Sequence, residues 1–154
     1  MKAKEWCTVI SQESIGTDIY SMWLQTEQIA GWAKPGQFIS LYCADGSKLL
    51  PRPISLCEID GKQGRLRIVY RVTGSNTGTE AFSRMKPGDR VEVLGPLGNG
   101  FPIEETEGKT VFLMGGGIGI PPMIEVGKQV KGHAITIAGY RDQLFLTEEM
   151  KKNG

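Results

Sequence analysis

Arg65-Leu66-Arg67-Ile68-Val69-Tyr70-Arg71-Val72 alternates with a period of two, Leu66, Ile68, Tyr70 and Val72 on one face and Arg65, Arg67 and Arg71 on the other. That is the pattern of a half-buried β-strand. Working outward, similar short runs recur at 6–10, 19–25, 38–43, 54–59 and 90–94. They are separated by turn chemistry: Ser14-Ile15-Gly16, Lys34-Pro35-Gly36, Ala44-Asp45-Gly46, Asp60-Gly61-Lys62 and Lys86-Pro87-Gly88-Asp89. Six short strands around one core predict a small closed or nearly closed antiparallel barrel, which removes the edges an open sheet would leave.

Two breaks in this pattern carry chemistry. Pro51-Arg52-Pro53-Ile54-Ser55 sets an arginine between two prolines, which stiffen the backbone into an extended form and pre-aim the guanidinium. Its planar fork of donors suits a diphosphate, and the Ser55 hydroxyl can pair with a ring heteroatom. The same five residues also fit an edge strand with a proline-stiffened entry. Gly74-Ser75-Asn76-Thr77-Gly78-Thr79 then leads into a short helix over 80–85. A helix N-terminus after glycines welcomes phosphate, although Thr77 or Thr79 also serves as a plain cap.

From Gly95-Pro96-Leu97-Gly98-Asn99-Gly100-Phe101-Pro102 onward the grammar changes, and a boundary falls between residues 1–101 and 102–154. An apolar strand at 110–114, the turn Gly115-Gly116-Gly117-Ile118-Gly119-Ile120-Pro121-Pro122, a helix over 123–131 and a second strand over 134–140 make a βαβ unit with a parallel pair. This arrangement puts a diphosphate against a helix N-terminus, with a proline in the first helical turn. Tight helix–strand packing is the other use of such glycines. No Gly-Lys-Ser/Thr ending follows, which argues against an ATP-type loop. Thr147 is expected to cap a last helix ending at Asn153-Gly154. Two parallel strands with one crossover make a small sheet with open edges, so the second domain reads as incomplete.

Composition narrows the function. In 154 residues, 18 Lys+Arg balance 17 Asp+Glu for a formal charge of +1, which supplies no basic surface for nucleic acid or anionic membrane. No stretch reads as a signal core or membrane span, and a cytoplasmic address is expected. Cys7, Cys43 and Cys57 are widely spaced in apolar runs and form neither a disulfide framework nor a metal motif. His133 at a strand start receives no role, and Trp6, Trp23 and Trp32 are expected to pack.

Taken in order, 52–55, 68–71, Gly78-Thr79, 95–101 and 115–122 resemble the ferredoxin–NADP reductase superfamily, and within it the electron-transfer subunits of bacterial type B dihydroorotate dehydrogenases. The resemblance implies a six-stranded FAD-binding barrel followed by a partial Rossmann-like domain. It implies Arg52 towards the FAD diphosphate, Pro53 and Ile54 along the ring, and Ser55 near flavin N5 as a tuning group rather than a catalytic residue. Val69, Tyr70 and Arg71 would line the ribityl and phosphate region, with Gly78 and Thr79 donating to the diphosphate. Gly115, Gly116, Gly117, Ile118, Gly119 and Pro121 would receive NAD(H). The resemblance further implies an oxidoreductase subunit that exchanges electrons between FAD and NAD(H) and serves a catalytic dihydroorotate dehydrogenase partner in pyrimidine biosynthesis. The resemblance also implies that relatives of this kind run on for roughly another hundred residues and carry a [2Fe–2S] cysteine cluster whose ligands are absent here. Two other readings stay open. One is a diaphorase subunit of a ferredoxin:NADP oxidoreductase, sulfide dehydrogenase or hydrogenase; the other is a flavin-binding interaction module without redox function.

Overall fold

Turns at Lys34–Gly36 and 86–89 use glycines at positive φ, Gly36 at 89° and Gly88 at 95°, to reverse the chain between strands. The computed structural model describes residues 1–44, 47 and 50–153; Asp45 and Gly46 of the expected Ala44-Asp45-Gly46 turn, and Gly154 at the expected helix end, lie outside the described residues. The strands are β1 (Ala3–Gly16), β2 (Ile19–Gln25), β3 (Phe38–Tyr42), β4 (Arg52–Asp60), β5 (Arg65–Arg71) and β6 (Arg90–Leu97). They close into an antiparallel barrel in the order β1-β2-β5-β4-β3-β6. A one-turn helix α1 (Ile29–Trp32) follows β2, and α2 (Gly78–Ser83) spans β5 to β6. Leu66, Ile68 and Tyr70 point inward as their alternation requires, joining Val9, Met22, Leu24, Ile39, Leu41, Leu56, Val93 and Phe82 of α2 in one core.

β1 is longer than its apolar run, and Ser14, Ile15 and Gly16 belong to the strand rather than to a turn. Register shifts at Val9/Ser11 and Ser14/Gly16 bend it, so that residues 3–8 pair with β6 and residues 8–16 pair with β2. The reversal falls on Thr17-Asp18, with Asp18 at φ 59°. Trp6 lies on the outside, half exposed, with the Arg90 guanidinium 5.7 Å from its ring centroid, and is not a core residue. Trp23 and Trp32 are half-buried.

The second unit pairs β7 (Thr110–Gly116) and β8 (His133–Gly139) in parallel, Thr110 opposite His133 and Gly116 opposite Gly139. The crossover helix α3 (Pro121–Gln129) joins them, as the βαβ pattern predicts. Leu113 is buried beneath α3, where a methyl on Gly127 would lie 3.5 Å from Leu113 Cδ1. Phe112, Met114 and Ile137 on the other side are 59%, 67% and 45% exposed. In α4 (Thr147–Lys152) the preceding Leu146 has φ 59°, and Thr147 sits inside the first turn without a side-chain cap bond, so the expected threonine cap is not formed.

A second core joins the two units. Ile120 and Ile124 of α3, Phe145, Leu146 and Met150 pack on Ile19, Cys57 and Val69 from the outer barrel wall. This cover changes the reading of Arg67. Assigned by alternation to the exposed face of β5, it is only 6% exposed. Its Nε donates to Ser21 Oγ at 2.8 Å and its Nη1 to Glu58 Oε2 at 2.7 Å. No helix among the described residues is long and apolar enough to cross a membrane.

Candidate functional site

The barrel is closed, but one seam opens. β4 and β5 pair only from Leu56 opposite Ile68 to Asp60 opposite Arg65, with a register shift between Leu56 and Glu58. Residues 52–55 of β4 and 69–71 of β5 have no ladder partner across this seam among the described residues, although β3 pairs with 52–55 and β2 with 69–71 on their far sides. The strands splay, and a cleft of about 390 Å3 fills the gap, lined by Arg52, Pro53, Ile54, Ser55, Tyr70, Arg71, Thr79 and Ile118 among others. Pro53 lacks an N–H, so at that position the open edge leaves no donor unpaired. Residues 52–55 thus have the open edge that the edge-strand reading expects, on the side facing β5, and that same side borders the cleft.

Within this seam the expected residues play different parts. Arg52, Pro53 and Arg71 are exposed, and Ser55 is half-buried. Val69 and Tyr70 are each 2% exposed, their side chains committed to the two opposite cores. β5 therefore offers the cleft mainly backbone plus Arg71. The Tyr70 hydroxyl donates to Gln12 Oε1 at 2.6 Å, and Gln12 Nε2 bonds the Phe82 and Met85 carbonyls at 2.9 and 3.0 Å, tying β5 to the end of α2. Burial, reinforced by neighbouring Tyr20, pushes the Tyr70 phenol above its ordinary pKa and keeps it neutral.

α2 starts two residues earlier than the sequence pattern indicates, which places Gly78 and Thr79 in its first turn. Thr77 is the cap: its Oγ1 accepts from Glu80 N at 3.2 Å. The buried Thr79 Oγ1 accepts from Thr73 N at 3.1 Å, which fixes the loop leading in from β5. The first backbone bond here is Ala81 N to Thr77 O at 3.1 Å, so the N–H groups of Gly78 and Thr79 precede the intrahelical ladder. A Cβ on Gly78 would lie 3.1 Å from Arg52 Nε and 3.2 Å from its Cγ; only glycine gives the arginine this close seat.

The glycine turn reaches the same cleft. Gly117–Gly119 forms a 3-10 turn after β7, with Gly117 at φ 53°, and Ile120 N returns to Gly117 O at 3.1 Å. Gly115 permits the close crossing, since a Cβ there would meet Gly119 O and Ile120 Cα at 2.9 Å. Pro121 is buried at the first helical position. Ile118, 42% exposed, lines both the seam cleft and a second, more polar cleft of about 680 Å3. Arg71 also faces both. The second cleft adds Thr17, Asp18, Tyr140, Arg141, Asp142 and Gln143, none of which sequence reasoning placed in a site. It lies beyond the C-terminal ends of β7 and β8, where open α/β sheets take ligands.

Residues 6–101 match the family model for the oxidoreductase FAD-binding domain. The chain belongs to that family. Within it, the chain is similar to a dihydroorotate dehydrogenase B (NAD(+)) electron transfer subunit of Geobacillus thermodenitrificans, 42% identical over 89% of this chain and 53% of that protein. The corresponding subunit of Bacillus mycoides is 39% identical over 100% of this chain and 61% of that one. The chain thus spans about half to three fifths of the length of the curated relatives it matches. Among solved structures, an NADH-dependent reduced ferredoxin-NADP oxidoreductase superposes with a TM-score of 0.84 at 26% identity, covering 96% of this chain and 54% of that one. An Amycolatopsis cytochrome P450 reductase, at 23% identity and TM-score 0.81, shares the fold.

The seam fits the family's FAD: a paired-donor cation seated against a glycine, free helix-start N–H groups, a second arginine and an apolar wall stand around one cleft. An iron–sulfur cluster does not fit the described residues. Cys7 and Cys57 are buried in separate cores, and no group of three or more potential ligands exists among the described residues.

Proposed function

We propose that this chain is the flavin-holding part of an electron-transfer subunit that passes electrons between FAD and NAD(H), and that it serves a catalytic subunit oxidising dihydroorotate. Residues 1–101 form the FAD-binding barrel in this reading, and 102–154 form part of the nucleotide-binding domain. The observation that carries the reading is the shared cleft, where the β4–β5 seam and the glycine turn meet at Arg71 and Ile118. The names of the curated relatives support the dihydroorotate coupling.

In this reading Arg52 holds the FAD diphosphate bidentately, and the first-turn N–H groups of α2 at Gly78 and Thr79 take its remaining oxygens. The open edge of 53–54 lies along the ring, with the Ser55 hydroxyl at its polar side. Ile118 covers the cleft and limits water there. The glycine turn and Arg141 accept the NAD(H) phosphates. Bound FAD supplies the two-electron exchange with nicotinamide, and the protein supplies position and electrostatics. Likeness to the ferredoxin-NADP oxidoreductase supports a second reading, in which the acceptor is a ferredoxin.

The test is an absorbance spectrum of the purified, FAD-reconstituted chain, repeated anaerobically with NADH. Two flavin bands that bleach support both sites. Bands that persist leave FAD binding in place and remove the NAD(H) assignment. A chain that takes up no FAD overturns the reading of residues 52–55.

A further inference from the structure

β4 does two jobs within eight residues. Its start, 52–55, borders the open seam. β3 then leaves it: the last β3–β4 pair is Phe38 with Ser55, and Gln37 O accepts from Leu56 N at 3.0 Å. Past the register shift at Leu56/Glu58, the Ile59 N–H is met by a side chain from α3. Glu125 Oε2 accepts it at 2.8 Å, while Oε1 accepts from Gln129 Nε2 at 2.7 Å. Glu125 is 4% exposed, is flanked in sequence by the buried Ile124 and Val126, and meets β4 with its side chain. A carboxylate buried to this extent costs desolvation unless its bonds are made.

Glu125 lies in the second turn of the helix that the glycine turn opens, about 6 Å along the axis from Pro121. Ile59 lies four residues, about 13 Å, along β4 from Ser55. A closed path results: seam residues, β4, Glu125, α3, glycine turn, and Ile118 back at the cleft. We infer that Glu125 is a positioning residue, whose bond to the bulged strand β4 sets the glycine turn, and with it bound nicotinamide, at working distance from the seam. The inference rests on the proposed function for its nicotinamide part only. The neighbouring pair of Glu58 with Lys128 crosses the same interface, and that of Glu58 with Arg67 stays within the barrel, but both bond side chain to side chain; Glu125 alone of these fixes α3 to β4 backbone.

The experiment compares the FAD-loaded chain with its E125A and E125Q variants by three readouts: FAD dissociation constant, limiting rate of flavin bleaching at saturating NADH, and exchange of the Ile59 and Ile120 amides. E125A is expected to leave FAD affinity within about twofold while cutting the limiting rate about ten- to hundredfold, as misplacement on the ångström scale does. The Ile120 amide, bonded to Gly117 O inside the turn, exchanges faster along with that of Ile59. E125Q gives up the charge but keeps an acceptor for Ile59 and recovers most of the rate, which would not happen if the carboxylate charge itself were what mattered. If the Ile59 amide opens while the Ile120 amide and the rate stay put, the positioning role is overturned. If the unsubstituted chain is not bleached at all, the nicotinamide assignment falls, and the Ile120 amide alone decides whether Glu125 holds the turn.

Discussion

Gly78→Ala tests the seat of Arg52 without touching a charged group. The added methyl would lie 3.1 Å from Arg52 Nε and 3.2 Å from Cγ, a few tenths of an ångström inside ordinary contact. Arg52 is exposed, so its side chain has room to swing aside. Gly78 needs no positive φ and sits in the first turn of α2, where alanine gains up to about 1 kcal/mol of helix preference. Stability therefore holds or rises. FAD affinity falls, because a charge-assisted bond worth about 1.5–3 kcal/mol is weakened; its full loss is about ten- to hundredfold in dissociation constant. Arg52→Ala sets that ceiling, and Gly78→Ala is expected at about three- to tenfold. Flavin fluorescence titration of wild type, both single variants and the double variant closes a thermodynamic cycle. In the R52A background the methyl should do nothing further. An equal loss from Gly78→Ala in both backgrounds would refute the argument, because the effect would not then run through the arginine.

Tyr70→Phe removes the 2.6 Å bond to Gln12 and is expected to cost about 1–2 kcal/mol, read as a lower chemical-denaturation midpoint with unchanged slope. Around Glu58, burial acts to raise the carboxyl pKa, but hydrogen bonds from Lys128 and Arg67 outweigh it and hold the group below its ordinary value. Its stabilising contribution is therefore complete above about pH 4.3 and lost as the pH falls through the lower folded-state value; Arg67→Met should flatten that acid limb of a stability–pH curve. Burial pushes the Cys7 and Cys57 thiols up to about 12, so native-state alkylation followed by mass analysis should find the half-buried Cys43 modified and those two intact.

Much of this was legible in the residues. The alternation of β5 assigned Leu66, Ile68 and Tyr70 inward, and the strand–glycine–helix–strand order placed β7 and β8 in parallel. The burial of Arg67 was not, because its cover comes from helices far along the chain, and an arginine on a strand looks alike whether water or α4 faces it. β1 outran its apolar run because bulges interrupt its alternation, so the strand read as ending at Ile10 and Ser14-Ile15-Gly16 as a turn. The cleft itself is defined by pairing that stops at Leu56, a property of two strands together rather than of any residue type. The second cleft gathers Asp18, Arg71 and Arg141 from three segments, and of these only Arg71 was assigned to a site from the sequence. An acidic residue flanked by Ile124 and Val126 in the middle of a crossover helix was the available signal for Glu125.

The second core has an engineering consequence. Ile19, Cys57 and Val69 belong to the barrel wall yet are completed by side chains from beyond residue 119. A chimera joined near residue 101, taking its C-terminal portion from another family member, would graft a helix face onto a wall shaped for different side chains. Such a hybrid would keep a well-packed interior in each parent piece and still melt at the join. The transferable module is consequently larger than the chain's linear division: those three wall positions would have to travel with the graft.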